Sequence, residues 1–168
     1  MVSRRAVILV LAAAAAALAV LVARRALREA PSDEEAIRAL FDEAARAAQE
    51  RRVGDAVAAV SERFRGHGLD RDGVKRLVAF QVLRGEWVSV TVSAARVAVE
   101  GDRARANVDA VLARGDGKGK SLSALLPGEA SAHRFRCRLE REEEGWRVVE
   151  ADWSAVGLAD AIAGPPEP

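Results

Sequence analysis

Three side chains in one segment are the strongest candidates for chemistry in this sequence. His133, Phe135 and Cys137 alternate with arginines, so a β-strand through Ser131 to Glu140 would place all three on one apolar face. Burial lowers the pKa of an imidazole and keeps it neutral near pH 7, which suits a general base. We therefore consider His133 a weak catalytic candidate, and all three residues candidates for ligand binding.

A histidine base needs a carboxylate partner, and three acids are available for that role. Asp109 is expected to point outward from its strand, and the facing of Glu150 and Asp152 is left open by the pattern. The structural alternative is a partly buried histidine at the edge of the core. By the same pattern Cys137 is expected to be a small core residue, because no cation on its own face would favour a thiolate.

Two other motifs resemble ligand loops but lack required residues. Residues 114–121 end like a phosphate-binding loop, yet Arg114 occupies the position of the first glycine. The segment that starts at Asp70 begins like a calcium loop, yet Val74 stands where Asp or Asn is required, and helix capping explains it. One cysteine and two histidines cannot complete a four-ligand zinc site. The sequence therefore predicts no metal and no cofactor.

A basic stripe follows the other face of the same predicted strand, at Arg134, Arg136 and Arg138. Acidic residues are frequent in the neighbouring segments, so cross-strand ion pairs are the simplest explanation. The alternative is a docking face for a partner protein or for anionic headgroups.

The first part of the chain has a separate composition. An uninterrupted apolar run begins at Ala6 and ends at Ala23, with a pair of arginines on each side. As a helix, its eighteen residues would be about 27 Å long, close to the roughly 30 Å of a bilayer's hydrocarbon core. We predict a membrane anchor in residues 1–29. A cleaved signal peptide is the alternative, which the arginines directly after the run disfavour.

The charges beside this run nearly balance, so the positive-inside rule determines orientation only weakly. A short N-terminus before a whole domain favours a single-pass protein of the bacterial inner membrane with its domain on the exported side. Beyond Glu29 the chain carries 21 basic and 24 acidic side chains. An acidic domain has no electrostatic attraction to nucleic acid, so we expect no nucleic-acid partner.

Helical spacing dominates the segment after Pro31. Apolar residues from Ile37 to Ala48 recur at intervals of three and four, which predicts a first helix. Ser32 and Glu35 have the spacing of a capping box at its start. Asp55 is the predicted N-cap of a shorter second helix with three inward residues, Val57, Val60 and Phe64. A third helix is predicted from Asp70, again as N-cap, to Gly85.

After Gly85 the apolar spacing changes to two, which predicts strands. A phase change of one residue near residues 94–95 indicates a bulge or a break. Turns are predicted at residues 101–102 and 142–145, and the last strand at residues 146–153. Helices followed by long antiparallel strands are typical of an α+β domain.

Three features resemble the nuclear transport factor two-like, or SnoaL-like, superfamily. They are the order of elements, the Val-x-Val-x-Gly-Asp-x-Ala pattern of residues 97–104, and the closing Gly-Trp-Arg-Val-Val of residues 145–149. The resemblance covers roughly residues 33–153. It implies three N-terminal helices packed on a curved antiparallel sheet, a cone-shaped cystatin-like roll. In superfamily members that are enzymes, the cavity between sheet and helices holds acid–base residues, a role that His133 would take here.

The predicted organisation is an anchor at residues 1–29, the α+β domain at residues 30–154 and a tail at residues 155–168. Three functions remain open. The first is a membrane-tethered, non-catalytic interaction or assembly module of the cell envelope, whose partner is a second copy or another envelope protein. The second is a binder of a small apolar ligand in the cone cavity. The third, an isomerase or dehydratase-like enzyme using His133, has least support, since no Asp/His pair is recognisable on inward faces.

Overall fold

A layer of helices covers one face of a five-stranded sheet in this chain. The computed structural model describes residues 31–83, 89–113 and 130–168. Along the chain the elements are α1 (Asp33–Gln49), α2 (Val53–Ala56), β1 (Val60–Arg65), α3 (Arg71–Leu83), β2 (Ser89–Glu100), β3 (Arg103–Ala113), β4 (Ala130–Glu142), β5 (Gly145–Val156) and α4 (Leu158–Ala163). The α+β class predicted from the change in apolar spacing is confirmed.

The sheet is curved and mixed, with strand order β1-β5-β4-β3-β2. The four long strands form an antiparallel meander, as predicted, but β1 pairs in parallel with β5. The expectation of a purely antiparallel sheet is therefore wrong at this one edge. A parallel partner 85 to 88 residues away along the chain leaves no local pattern in the sequence.

The predicted second helix is also corrected. The helix is confined to Val53–Ala56, and Asp55 lies inside it rather than at its N-cap, which is Arg52. Val60–Arg65 forms strand β1 instead. An irregularity in its pairing places the buried residues Ser61 and Phe64 three positions apart, where a regular strand would space them by two. This bulged strand therefore imitates the apolar spacing of a helix.

Several local predictions are confirmed. The side chain of Asp70 accepts a hydrogen bond from the backbone N–H of Gly73 at 2.7 Å, which caps α3 and lowers the pKa of the carboxyl. The phase change in β2 is a bulge between Val92 and Ala94. Gly101, with φ of 61°, forms the predicted turn between β2 and β3.

The core of the domain is buried where the start of α1 meets the sheet. Leu139 and Trp146 are 0% and 3% exposed there. The indole Nε1 of Trp146 donates to Asp33 Oδ1 at 3.1 Å, and the guanidinium of Arg141 lies 4.6 Å from the centre of the indole ring. Arg141 also pairs with Asp33 at 2.6 Å. The hydrogen bond from Arg141 lowers the pKa of Asp33 most, followed by that from Trp146. Together the two bonds fix the start of α1 on the sheet.

The predicted anchor at residues 1–29 lies outside the described residues, as does segment 114–121, which ends like a phosphate-binding loop. Within the described part of the chain, no helix is long and apolar enough to cross a membrane.

Candidate functional site

An apolar cavity of about 260 Å³ lies between the helices and the concave face of the sheet. Helix α1 contributes one stripe of its surface, and α3 contributes Val74 and Val78, one turn apart. The sheet contributes residues that share its concave face, among them Val108, Ala110, Phe135, Cys137 and Trp153.

Small side chains explain why this space is empty. Seven of the twenty described lining residues are alanines, at positions 44, 45, 48, 56, 59, 110 and 151. The aromatic side chains around them come from four separate elements, α1, β1, β4 and β5. All twenty lining side chains are apolar. Such a surface can bind an uncharged apolar molecule, and its side chains offer a polar one only the indole N–H of Trp153 and the thiol of Cys137.

Two of the three predicted site residues line this cavity. Phe135 and Cys137 face it from β4, as the alternation with arginines predicted. Burial raises the pKa of the Cys137 thiol to about 12, so it is a neutral wall residue rather than a nucleophile.

His133 shares the concave face but is not among the lining residues. It lies between Ala110 of β3 and Ala155 of β5 in the sheet register and is half-buried. This partial burial lowers the pKa of the imidazole and keeps it neutral at pH 7. The structure therefore brings Phe135 and Cys137 together around the cavity and leaves His133 beside it.

The three carboxylates considered as partners of His133 are engaged on the convex face. Asp109 binds Arg134 through two hydrogen bonds of 2.7 and 2.8 Å. Asp152 pairs with Arg136 through Oδ2 and lies 2.6 Å from His67 Nε2 through Oδ1, and Glu150 pairs with Arg138. The basic stripe is thus explained by cross-strand ion pairs, as predicted.

Asp109 differs from the other two acids in its burial. Its outward facing was predicted correctly, yet it is 0% exposed, because residues 157–168 fold back over the convex face. We call this segment the C-terminal strap. The hydrogen bonds that Arg134 donates to Asp109 raise the pKa of the guanidinium.

His67 is a residue near the cavity that the sequence pattern did not single out. It lies in the turn after β1, with φ of 48°, and its ring centre is 4.0 Å from that of the cavity residue Trp153. The backbone N–H of Trp153 donates to His67 Nε2 at 3.1 Å. The preceding Gly66 approaches β5 so closely that a Cβ there would lie 2.3 Å from the carbonyl oxygen of Ala151. The turn therefore supports the Trp153 wall of the cavity.

No group of three or more His, Cys, Asp or Glu side chains in residues 31–83, 89–113 and 130–168 could hold a metal ion. The described residues form an apolar cavity with a neutral thiol in its wall. Among these residues, no acid–base pair points into the cavity.

Solved structures share this fold at low sequence identity. A nuclear transport factor two-like protein with a cystatin-like fold from Novosphingobium aromaticivorans is 23% identical, with a TM-score of 0.58 over 81% of this chain and 88% of that one. A nuclear transport factor two-like protein of unknown function from Pseudomonas putida KT2440 is 16% identical, with a TM-score of 0.57 over 71% and 84%.

A protein of unknown function from Mycobacterium tuberculosis is 14% identical, with a TM-score of 0.56 over 81% of this chain and 89% of that one. No protein-family model matches the sequence, and no curated protein sequence matches it. The likeness is therefore one of fold: an α+β domain of the nuclear transport factor two-like, cystatin-like type.

Proposed function

We propose that this domain is a non-catalytic binder of a small, uncharged apolar ligand, which it holds in the cone cavity. The observation that carries the proposal is the chemistry of the lining, in which every described side chain is apolar. Placing a charged or strongly polar group there would leave it without hydrogen bonds, at a cost of about 2–7 kcal/mol for a neutral polar group. The cavity thus favours ligands that have no charged or strongly polar groups.

The size of the cavity bounds the ligand. A volume of about 260 Å³ holds roughly nine water-sized groups, since a water molecule occupies about 30 Å³ in the liquid. A two-ring aromatic hydrocarbon or a chain of eight to ten carbons is of this order. The four aromatic side chains of the wall, Phe41, Phe64, Phe135 and Trp153, favour a flat ligand through ring contacts.

A catalytic role has less support than binding. A general base must lie within hydrogen-bond reach of the reacting atom, and His133 lies outside the lining. Its candidate carboxylate partners bind arginines on the opposite face of the sheet. The isomerase or dehydratase alternative therefore lacks both the position and the partner that such a base requires.

The membrane tether belongs to the same proposal. The apolar run that begins at Ala6 would hold the domain on the exported side of the bacterial inner membrane, next to a bilayer in which apolar molecules concentrate. An assembly role through the sheet is less favoured, because the convex face carries ion pairs and the C-terminal strap rather than a free apolar patch. A homodimer or an envelope partner remains compatible with ligand binding.

The test uses the full chain in detergent with its Ala, Leu and Val methyl groups labelled for NMR. Naphthalene is titrated as the uncharged probe and 2-naphthoate as its charged counterpart. We expect saturable shifts at cavity methyls, such as those of Val74 and Val108, with naphthalene only. Shifts that fail to appear at any cavity methyl would refute the proposal.

A matched pair of variants on α1 sharpens this test. Ala44→Phe fills the cavity and should remove the naphthalene-induced shifts. Ala39→Phe adds the same side chain to the same helix at an exposed position and should leave them unchanged. Equal behaviour of the two variants would place the probe outside the cavity.

A further inference from the structure

The C-terminal strap occupies a groove on the convex face of the sheet. Ala161 is 0% exposed and packs on Val111 of β3 and Ala132 of β4. Pro165 is also fully buried. Between them, Gly164 adopts φ of 91° and lies close to β2, where a Cβ would be 3.5 Å from Ala94 Cβ. The groove therefore accepts a small residue, a left-handed glycine and a proline in that order.

The polar groups of the groove bind the main chain of the strap. Asn107 Nδ2 donates to the carbonyl oxygens of Pro166 and Glu167, at 3.0 and 3.2 Å. Ser93 Oγ lies 3.0 Å from the carbonyl oxygen of Ala161. Because the acceptors are backbone carbonyls, these contacts recognise the backbone path of a peptide more than its side chains.

Arg134 completes the groove and is held in place from below. Its Nη2 atom lies 3.4 Å from the carbonyl oxygen of Gly164, while its two hydrogen bonds to Asp109 fix the plane of the guanidinium. An ion pair between Arg96 of β2 and Glu167 lies at the far end of the strap. Groups on three adjacent strands thus converge on one short segment.

From this geometry we propose that the groove is a peptide-binding site whose second occupant is the same strap from another copy of the chain. The strap already fits the groove of its own chain, and a second copy presents an identical segment to identical groups. Exchange of a terminal element between copies is a low-cost route to a dimer. Gly157, in an extended conformation, is the single residue that joins β5 to α4 and is the hinge for this exchange.

The balance between the two occupants depends on concentration. A tethered segment has an effective concentration of order millimolar, so the strap of the same chain occupies the groove in dilute solution. Confinement of many copies to one surface, or release of the strap, shifts the balance towards the second copy. The proposal is independent of the ligand cavity, which lies on the opposite face.

The first test measures binding of a fluorescent peptide with the sequence of residues 157–168 to the full chain in detergent. In the protein, Ala161→Asp places a carboxylate in the apolar seat and releases the strap without altering the groove. We expect this variant to bind the peptide at least about tenfold more tightly than the unmodified chain, because cis competition is removed. A peptide carrying the same Ala161→Asp change should not bind.

A further variant, Asn107→Ala in the released background, should weaken peptide binding several-fold. Near-UV circular dichroism establishes that the sheet is intact in each protein. A folded, released variant that does not bind the peptide overturns the proposal.

The second test needs no destabilised protein. One preparation carries Arg96→Cys and another carries Glu167→Cys, so a disulfide between them forms only when the strap of one chain lies on the other. The native Cys137 is buried and does not compete. We expect a cross-linked heterodimer that increases with protein concentration. A yield no higher than that of an Arg96→Cys and Arg38→Cys mixture, whose sites are not adjacent in the exchanged form, refutes the exchange.

Discussion

The two faces of the sheet are built from the same strands but are packed in opposite ways. The concave face is apolar and leaves about 260 Å³ empty, because alanines stand where larger side chains would fill the cone. The convex face is polar and is filled by the chain's own strap, which takes hydrogen bonds from Ser93, Asn107 and Arg134. An apolar void loses packing contacts that a bound apolar ligand would restore, whereas a buried ion pair is tolerated only when each charge keeps its partner and its hydrogen bonds.

The largest effect is expected at the filled end of the concave face. Leu139→Ala removes a fully buried side chain and should lower the free energy of unfolding by about 3 kcal/mol. Denaturation with urea measures the loss. Leu77→Ala, at a position that is 37% exposed, is the control and should cost less than about 1 kcal/mol. Similar losses of stability in the two variants would mean that Leu139 does not lie in the core of the domain.

The next effect is expected under the strap. Asp109→Ala leaves Arg134, whose side chain is 19% exposed, without its carboxylate and should cost about 2–3 kcal/mol. Glu150→Ala breaks an exposed ion pair with Arg138 on the same face and should change stability by less than about 0.5 kcal/mol. The same urea titration compares the two, and equal costs would contradict coverage by the strap.

The smallest effect concerns His133 and pH. Partial burial lowers the pKa of this imidazole in the folded state, so the unfolded chain binds the proton more readily. Stability should therefore fall as pH decreases from about 6.5 towards the lower folded-state pKa, by less than about 1 kcal/mol for a half-exposed group. His133→Gln should remove this part of the pH dependence of Tm. An unchanged profile would assign the pH dependence to other groups.

Much of the site followed from local pattern. Alternation along β4 placed Phe135 and Cys137 on the cavity side and the arginines on the other, because side chains in a strand alternate between faces. The same pattern placed His133 on the concave face, but only the packing of α1 and α3 decided that the cavity would form beside it. The cavity itself depends on the sum of side-chain volumes from eight elements, which no single segment encodes.

The sequence by itself determined the elements whose signals are local: the cap at Asp70, the bulge in β2, the turn at Gly101 and the long alternating strands. Tertiary structure alone decided the parallel pairing of β1, the burial of Asp109 and the seat of the strap. The reason is the distance along the chain between partners. Capping and alternation act within a few residues, whereas the strap is placed by contacts with residues that precede it by about 30 to 70 positions.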